Sequence, residues 1–587
     1  MRLRELTIRN FRKIEELSVA FPQGLCVIVG ENNTGKTAII DALRLMLMSS
    51  REFDAVRLNE DDFRIGTNFA PIEVTCTFCD TTDAEEVDFY ECLVDIGGGQ
   101  FEVRLNARVE FNKSTRRANV KMWGGETECG NLPVNLYDRL AAIYLQPLRD
   151  PEFGLRPHRN SQVSRLIDCL TAETQHTNFE AIATKANDEI RKLPSVEDAR
   201  KDINGQMLAI TGKELSQDTD LVFSDPEFHR IIAGLQPLID KLPFTLNGLG
   251  YNNLIYTSAT LGTLKKSAQY AFRSILIEEP EAHLHPQLQV LLLGYLAVEA
   301  NTTANPVQVI VSSHSPILVS QAPIDALIAV HEYEGVVSAV SICSITLDDN
   351  PKENDKLKKK LQRFLDATRA ELFFARRVLM VEGIAEALLV PVFAKMAGGC
   401  LKKSAVTVVN VDGINFNAFL PLFGKDKLAI PFAILTDGDA KLIGSGPSDS
   451  AKGLKGQESA ILNLRVEFSE ITFEHELARS KLLLPHMLDA LATIHPTVTK
   501  ELRKTAANLD TDDEKADAFY AEFKSSNVSK GRFAQELALI LDNSGLGLGA
   551  VPEYIRGALC FLGVIETGAE HGSTGNAAGP DTFPASN

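Results

Sequence analysis

Residues 30–37 read GENNTGKT and fit the phosphate-binding pattern GxxxxGK[ST]. Around Gly30, Asn33 and Gly35 the backbone N–H groups can wrap an anion. Lys36 can reach the β and γ phosphates of a nucleotide, and the Thr37 hydroxyl can sit on Mg²⁺. The run SILIEEPEAHLHP puts Glu278 and Glu279 at the end of an apolar strand. The first carboxylate can lie near Mg²⁺ and the second over an attacking water. His314, in SSHS after another strand, can hydrogen-bond a γ-phosphate, and Gln146 in YLQPLRD can contact Mg²⁺ or the water. NGLGYNN, with Gly248 and Gly250 ahead of an apolar helix, suits a phosphate bound from across a dimer interface. These residues together predict ATP binding and hydrolysis.

A second set lies further on. Glu382 ends the apolar run VLMV, and Glu386 follows one helical turn later. Asp437 and Asp439, two apart in LTDGDA, end another apolar run. Four carboxylates at parallel strand ends predict a Mg²⁺ or Mn²⁺ site, since without cations they repel one another. Such ions suit phosphodiester chemistry: they hold the phosphate, acidify a water and stabilise the leaving oxygen.

The elements that must position these residues follow from pattern. Residues 3–8 and 17–21 predict a hairpin, 25–29 a buried strand and 38–48 a helix. Residues 69–79 and 89–111 alternate as antiparallel strands do. Residues 160–240 read as polar and helical, an insertion between two halves of an ATPase. Residues 274–279 and 307–311 are strands, with a helix from about 287. A second unit runs from a strand at 378–383 through strands at 406–411 and 428–435, with a helix near 416–423. Strand and helix in alternation predict a parallel sheet. The expected domains are 1–158 and 243–350 for the two ATPase parts and 159–242 for a helical insertion. A basic linker is expected at 351–376, a nuclease domain at 377–567 and a disordered tail at 568–587.

The chain has 587 residues, is 44% hydrophobic and carries 78 Asp+Glu against 60 Lys+Arg. That composition excludes a mostly disordered, collagenous or disulfide-scaffold protein. The net charge of −18 confines DNA contact to local basic surface, with 101–121 and 352–377 as candidates. Nine cysteines, Cys76 and Cys79 among them, read as ordinary thiols. The beginning MRLRELTIRNF has no signal-peptide core, and no run of 18 apolar residues occurs. A cytoplasmic protein without membrane association is expected.

GENNTGKT, LIEEPEAHLHP and SSHS resemble the ABC-type ATPase heads of the SMC and RecF group. By that resemblance Glu278 is the Walker B acid, Glu279 the catalytic base, His314 the switch histidine and 248–250 the signature. LMVEGIAE followed by LTDGD resembles the Toprim domain of topoisomerases, primases and certain nucleases. The two in one chain resemble the OLD (overcoming lysogenisation defect) family over roughly residues 1–565. FRKIEELSVAF, FEHELA (473–478) and VSKGRFAQELA (528–538) fit in their places. The resemblance implies a multidomain α/β protein: an ABC/SMC-like P-loop ATPase with a helical dimerisation insertion, then a Toprim domain with helical C-terminal elements. It implies a homodimeric nuclease with two metal ions, Mg²⁺ or Mn²⁺, in which Glu382, Glu386, Asp437 and Asp439 bind metal. Glu474 or Glu476 adds a ligand, with FEHEL favouring Glu474, and Lys530 faces the scissile phosphate. Some members stand alone, the class this chain's length and Toprim arrangement resemble more, and others act in phage defence beside a helicase-like partner. Two rival readings are an SMC/RecF-like ATPase that clamps DNA or a protein without cutting, and a topoisomerase-like or RNA-processing Toprim enzyme.

Overall fold

The computed structural model describes residues 1–48, 56–128, 132–137, 139–146, 154–159, 161–223, 225–266, 270–302, 306–413, 415–441, 443–461 and 463–566. The expected disordered tail lies outside them. The chain divides into two compact units: 1–376 with 418–429, and 377–417 with the residues from 430 onward.

The first unit holds two large sheets. One is antiparallel, in the order β2-β1-β4-β6-β5 with β7 on β6. Its strands are β1 (Arg2–Phe11), β2 (Ile14–Ala20), β4 (Ile72–Cys79), β5 (Leu93–Gly97), β6 (Gln100–Asn112) and β7 (Arg117–Gly124). The stretch expected as strand from 89 on first makes a helical turn, Tyr90–Cys92, before β5. The other sheet is built on β3 (Leu25–Val29), β8 (Leu140–Leu145), β11 (Phe272–Glu278), β12 (Gln308–Ser313), β13 (Leu327–Tyr333) and β14 (Val336–Ser341). Its order is β14-β13-β3-β12-β11-β8, parallel except for the β13/β14 hairpin. The strands β3 and β11 are buried along their whole length, as a sheet covered on both faces requires. Helix Lys36–Leu47 packs between the sheets, where Ile39, Leu43 and Met46 share a core with Leu6, Ile8, Leu276 and Ile310.

Among its described residues the insertion holds helices Gln162–Leu170, Glu173–Arg191, Pro194–Thr211 and Phe228–Ala233. The two-residue strands β9 (Leu238–Ile239) and β10 (Leu242–Pro243) follow them. Residues 351–376, expected as a linker, cluster with this first unit. Helix Pro351–Phe364 buries Leu361, and the following turns bury Ala370, Leu372 and Phe373, so apolar contact holds the segment down.

The second unit is a four-stranded parallel sheet, β16-β15-β17-β18. It consists of β15 (Arg377–Val381), β16 (Val406–Asn410), β17 (Phe432–Thr436) and β18 (Leu464–Phe468). Helix Ile384–Met396 and the C-terminal helices cover it, with Leu389, Phe393, Phe519, Phe533 and Leu537 in one core. Two expectations change here. The helix near 416–423 is a pair of short 3₁₀ turns, Asn415–Ala418 and Leu420–Leu422, and the residues from 418 to 429 cluster with the first unit. The strand begins at Phe432: the Pro431 carbonyl still accepts from the Val378 N–H at 3.0 Å, but proline has no N–H to donate in return.

Candidate functional site

The parallel sheet of the first unit brings its candidate residues together by register. Ser313 pairs with Val29, Glu278 with Ser312, and Ile277 with Leu145. Gly30, His314, Glu279 and Gln146 therefore leave four neighbouring strands at one level, the C-terminal edge where α/β sheets bind ligands. A cavity of about 150 Å³ opens there, lined by Arg12, Lys13, Asn33, Gly35, Lys36, Thr37, Ala38 and His314. The Lys36 ammonium donates to the carbonyls of Gly30 (2.8 Å) and Glu31 (2.6 Å). Burial lowers Lys36 to about 8, opposed by Glu279 and Glu31.

Glu278 is 4% exposed, and burial raises it above the ordinary carboxylate range. Tyr144 donates to its Oε2 at 2.6 Å. Glu279 and Asn33 adopt left-handed backbones, with φ of 45° and 65°. Such conformations in non-glycine residues are held by their surroundings and cluster at functional sites. Glu279 Oε1 lies 3.5 Å from His314 Nε2. Burial, then Lys36, lowers His314, favouring the neutral ring. His285 caps helix Pro286–Ala300 and His283 sits in the tight turn before it. Gly248 is exposed at the start of helix Leu249–Lys266. Gly250 has a packing reason as well: a Cβ there would lie 2.7 Å from the carbonyl oxygen of His283.

Three residues join this site without having been singled out in the sequence. Arg12 and Lys13 come from the β1–β2 turn, and only strand pairing carries them to the phosphate loop. Glu281 accepts from Ser313 Oγ and the His314 N–H, both at 2.8 Å, so it anchors the histidine loop. Its place in EEPE was the one available signal.

In the second unit the strand order reverses between β15 and β17, the switch point of a parallel sheet, and Glu382 and Asp437 flank it. Glu382 Oε2 accepts from Thr436 Oγ1 (2.9 Å) and the Asp437 N–H (3.2 Å). Asp437 Oδ1 accepts from Ser469 Oγ (3.1 Å) and the Phe473 N–H (2.7 Å) at the start of helix Phe473–Ala478. A Cβ on Gly438 would meet the Ser469 carbonyl oxygen at 2.2 Å, so only glycine fits between the two aspartates. Asp439 is exposed, with φ 51°.

Glu474 is 1% exposed and pairs with Lys530 Nζ at 3.0 Å. Glu476 turns the other way, to Arg479 at 3.5 Å, and lines a separate cavity of about 570 Å³. Glu474 is thus the one brought beside the cluster. Burial, reinforced by neighbouring carboxylates, raises Asp437 to about 8 and Glu386 to about 7. Burial pulls Lys530 down, yet Glu474, Asp437 and Glu386 hold it above its ordinary value. Among the described residues no three His, Cys, Asp or Glu side chains stand ready-gathered at metal-ligand spacing. The donor set still fits divalent cations: hard oxygen donors, crowded and partly buried, with one ammonium against several carboxylates.

The two basic stretches are largely neutralised. Lys121 pairs with Glu128, Arg116 with Glu60, Lys358 with Asp325 and Lys359 with Asp355. Cys76 and Cys92 are buried in the core, where burial raises both thiols. No helix among the described residues is long and apolar enough to cross a membrane.

Comparison with known proteins agrees with this arrangement. The AAA ATPase domain model matches residues 1–218 and 156–319, more than half of the chain. The model for the TOPRIM domain of overcoming lysogenization defect protein-like proteins matches residues 373–439. The chain therefore belongs to the AAA-type ATPases, and its ATPase-then-Toprim order is the architecture of the OLD-family nucleases. The first unit carries that ATPase domain, with a helical insertion. The chain is 24% identical to an endonuclease GajA of Bacillus cereus (strain VD045) over 496 residues, 81% of each chain. It is 28% identical to an OLD nuclease of Thermus scotoductus over 397 residues, 65% of this chain and 71% of that one. Among solved structures, the C-terminal region of the Xanthomonas campestris pv. campestris OLD protein is 29% identical. That match covers 33% of this chain and 94% of that one, with a TM-score of 0.25.

Proposed function

We propose that this chain is an ATP-hydrolysing, divalent-metal-dependent DNA nuclease. The observation that carries the reading is the carboxylate group at the β15/β17 switch point, with Lys530 in its midst. Divalent Mg²⁺ or Mn²⁺ held by Glu382, Glu386, Asp437, Asp439 and Glu474 would acidify a water and stabilise the leaving oxygen of a phosphodiester. Glu382 and Asp437 are each oriented by their own hydrogen bonds. Lys530 supplies fixed positive charge for the phosphoryl oxygens.

In the first unit Lys36 and the loop 30–37 bind the ATP phosphates, and Thr37 and Glu278 hold Mg²⁺, with Gln146 beside them. Glu279 takes the proton of the attacking water, and His314 orients it. Gly248 and Gly250 present a helix start to the nucleotide of a second copy. A homodimer is favoured by the insertion: helices Glu173–Arg191 and Pro194–Thr211 leave Ile182, Leu208 and Ile210 exposed. Action in phage defence, with or without a helicase-like partner, rests on the resemblance to the OLD family alone.

Supercoiled plasmid incubated with Mg²⁺, Mn²⁺ or EDTA, beside Asp437→Ala, tests the reading. Metal-dependent cutting that the substitution abolishes supports it. ATP hydrolysis without cutting under any metal transfers support to the clamp alternative.

A further inference from the structure

The Walker B position here carries a glutamate, one methylene longer than an aspartate and with one more rotatable bond. Left free it could meet a cation through either oxygen or both. The β8/β11 register sets Tyr144 opposite Leu276, on the face that Glu278 shares two residues on. The phenol then reaches along the strand to the carboxylate. Its hydroxyl donates to Oε2 at 2.6 Å, while Oε1 is buried and has no hydrogen-bond partner. Thr37 stands beside the same carboxylate.

The phenol is itself fixed. The Arg44 guanidinium lies over its ring, 3.7 Å from the centroid. Arg44 pairs with Asp41 at 2.5 Å, Asp41 with Arg12 at 2.8 Å, and Arg12 with Asp62 at 2.9 Å. Arg12 lines the nucleotide cavity. One continuous row thus runs from that cavity to the buried acid. A guanidinium over a phenol makes its hydroxyl a better donor, and a charge-assisted hydrogen bond is the stronger kind.

We propose that Tyr144 is a positioning residue of the ATPase site: it occupies one oxygen of Glu278, fixes the side-chain rotamer, and leaves Oε1 alone to face Mg²⁺. The inference rests on the ATPase reading above. A purely structural tyrosine would support the fold whether or not metal is present. A positioning tyrosine acts only where Glu278 meets the ion.

The test uses the full chain and Tyr144→Phe, which keeps the ring under Arg44. Binding of a fluorescent ATP analogue in EDTA should change less than twofold. The Mg²⁺ concentration for half-maximal hydrolysis should rise about tenfold, matching the ~1.5 kcal/mol of a hydrogen bond to a charged group. Mn²⁺ binding to the nucleotide-loaded protein, followed by its EPR signal, should weaken by a similar factor without reference to turnover. In a Glu278→Asp background, where the shorter acid is out of reach, adding Tyr144→Phe should shift the Mg²⁺ requirement less than twofold. An unchanged Mg²⁺ requirement in Tyr144→Phe overturns the proposal, as does an equal loss of nucleotide binding in EDTA. If Tyr144→Phe does not fold, Arg44→Met, which removes the cation above the ring, should shift the Mg²⁺ requirement about threefold in the same direction. No shift there overturns the proposal too. Failure of the wild type to bind ATP at all overturns the ATPase reading, a result distinct from a metal-responsive wild type and an identical variant.

Discussion

Lys530→Met removes an ammonium and keeps its stem. Lys530 Nζ lies 3.0 Å from a carboxylate that is 1% exposed, while the lysine side chain itself is 55% exposed. Breaking a fully buried pair costs about 3–5 kcal/mol, because the remaining charge is stranded. An exposed pair is worth about 0–1 kcal/mol. With one partner buried and the other screened by water, about 1–3 kcal/mol is expected. For a unit of this size that corresponds to roughly 3–10 °C in melting temperature. The loss should be greatest above pH 8, where all the carboxylates are ionised. It should shrink as pH falls through about 8 and about 7, where Asp437 and Glu386 take up protons and relieve the repulsion themselves. Divalent ions should narrow the gap, since they supply the missing charge and bind only the folded form. Calorimetric melts of both proteins in EDTA and in millimolar Mg²⁺ measure this. Equal melting in EDTA, or the same deficit with and without metal, would refute the idea that Lys530 and metal neutralise one cluster.

Three further outcomes are expected. Gly438→Ala forces a Cβ to within 2.2 Å of the Ser469 carbonyl oxygen, so the DGD turn must shift at about 1–3 kcal/mol; DNA cleavage should be lost while ATP hydrolysis stays within twofold of wild type. Burial lowers His331 to about 4, and its Nε2 accepts the Ala429 N–H at 3.1 Å, so the fold holds the neutral ring. Its contribution is complete above pH 6.5 and is lost as pH falls toward 4, by up to about 3 kcal/mol; urea melts of wild type and His331→Gln should converge at low pH. Lys356, Lys359 and Lys360 lie in the basic helix, the first two in exposed ion pairs that DNA phosphates can displace. Changing all three to Gln should flatten the salt dependence of DNA binding by up to about 0.9 per lost phosphate contact, whereas an unchanged slope would place the DNA elsewhere.

Short-range chemistry was legible in the sequence. GENNTGKT stands out because a phosphate loop needs its glycines, lysine and threonine at fixed spacing between a strand and a helix. LIEEPEAHLHP, VLMVEG and LTDGD are as plain, since a buried strand that ends in carboxylates holds them at the ligand-binding edge of a parallel sheet. Tyr144 and Arg12 were not legible. They reach their partners across strand pairings more than a hundred residues apart, or through a helix packed between two sheets, and no local pattern marks them. The choice between Glu474 and Glu476 was also beyond the sequence. Two residues apart on a short helix, they point to opposite sides, and only the packing of helix Phe473–Ala478 against the end of β17 decides which meets Lys530.

The basic segment 351–376 shows the same division. Its charge was evident, but its docking depends on Leu361, Leu372 and Phe373 finding apolar neighbours. Its lysines are matched by carboxylates such as Asp325, which the sequence places far from it. Sequence alone determined which reactive groups exist and which strand end or helix start each occupies, because those are properties of a dozen consecutive residues. Tertiary structure decided which groups meet, which oxygen stays free and which charges are buried. Those depend on register and burial, and both are set by the whole core at once.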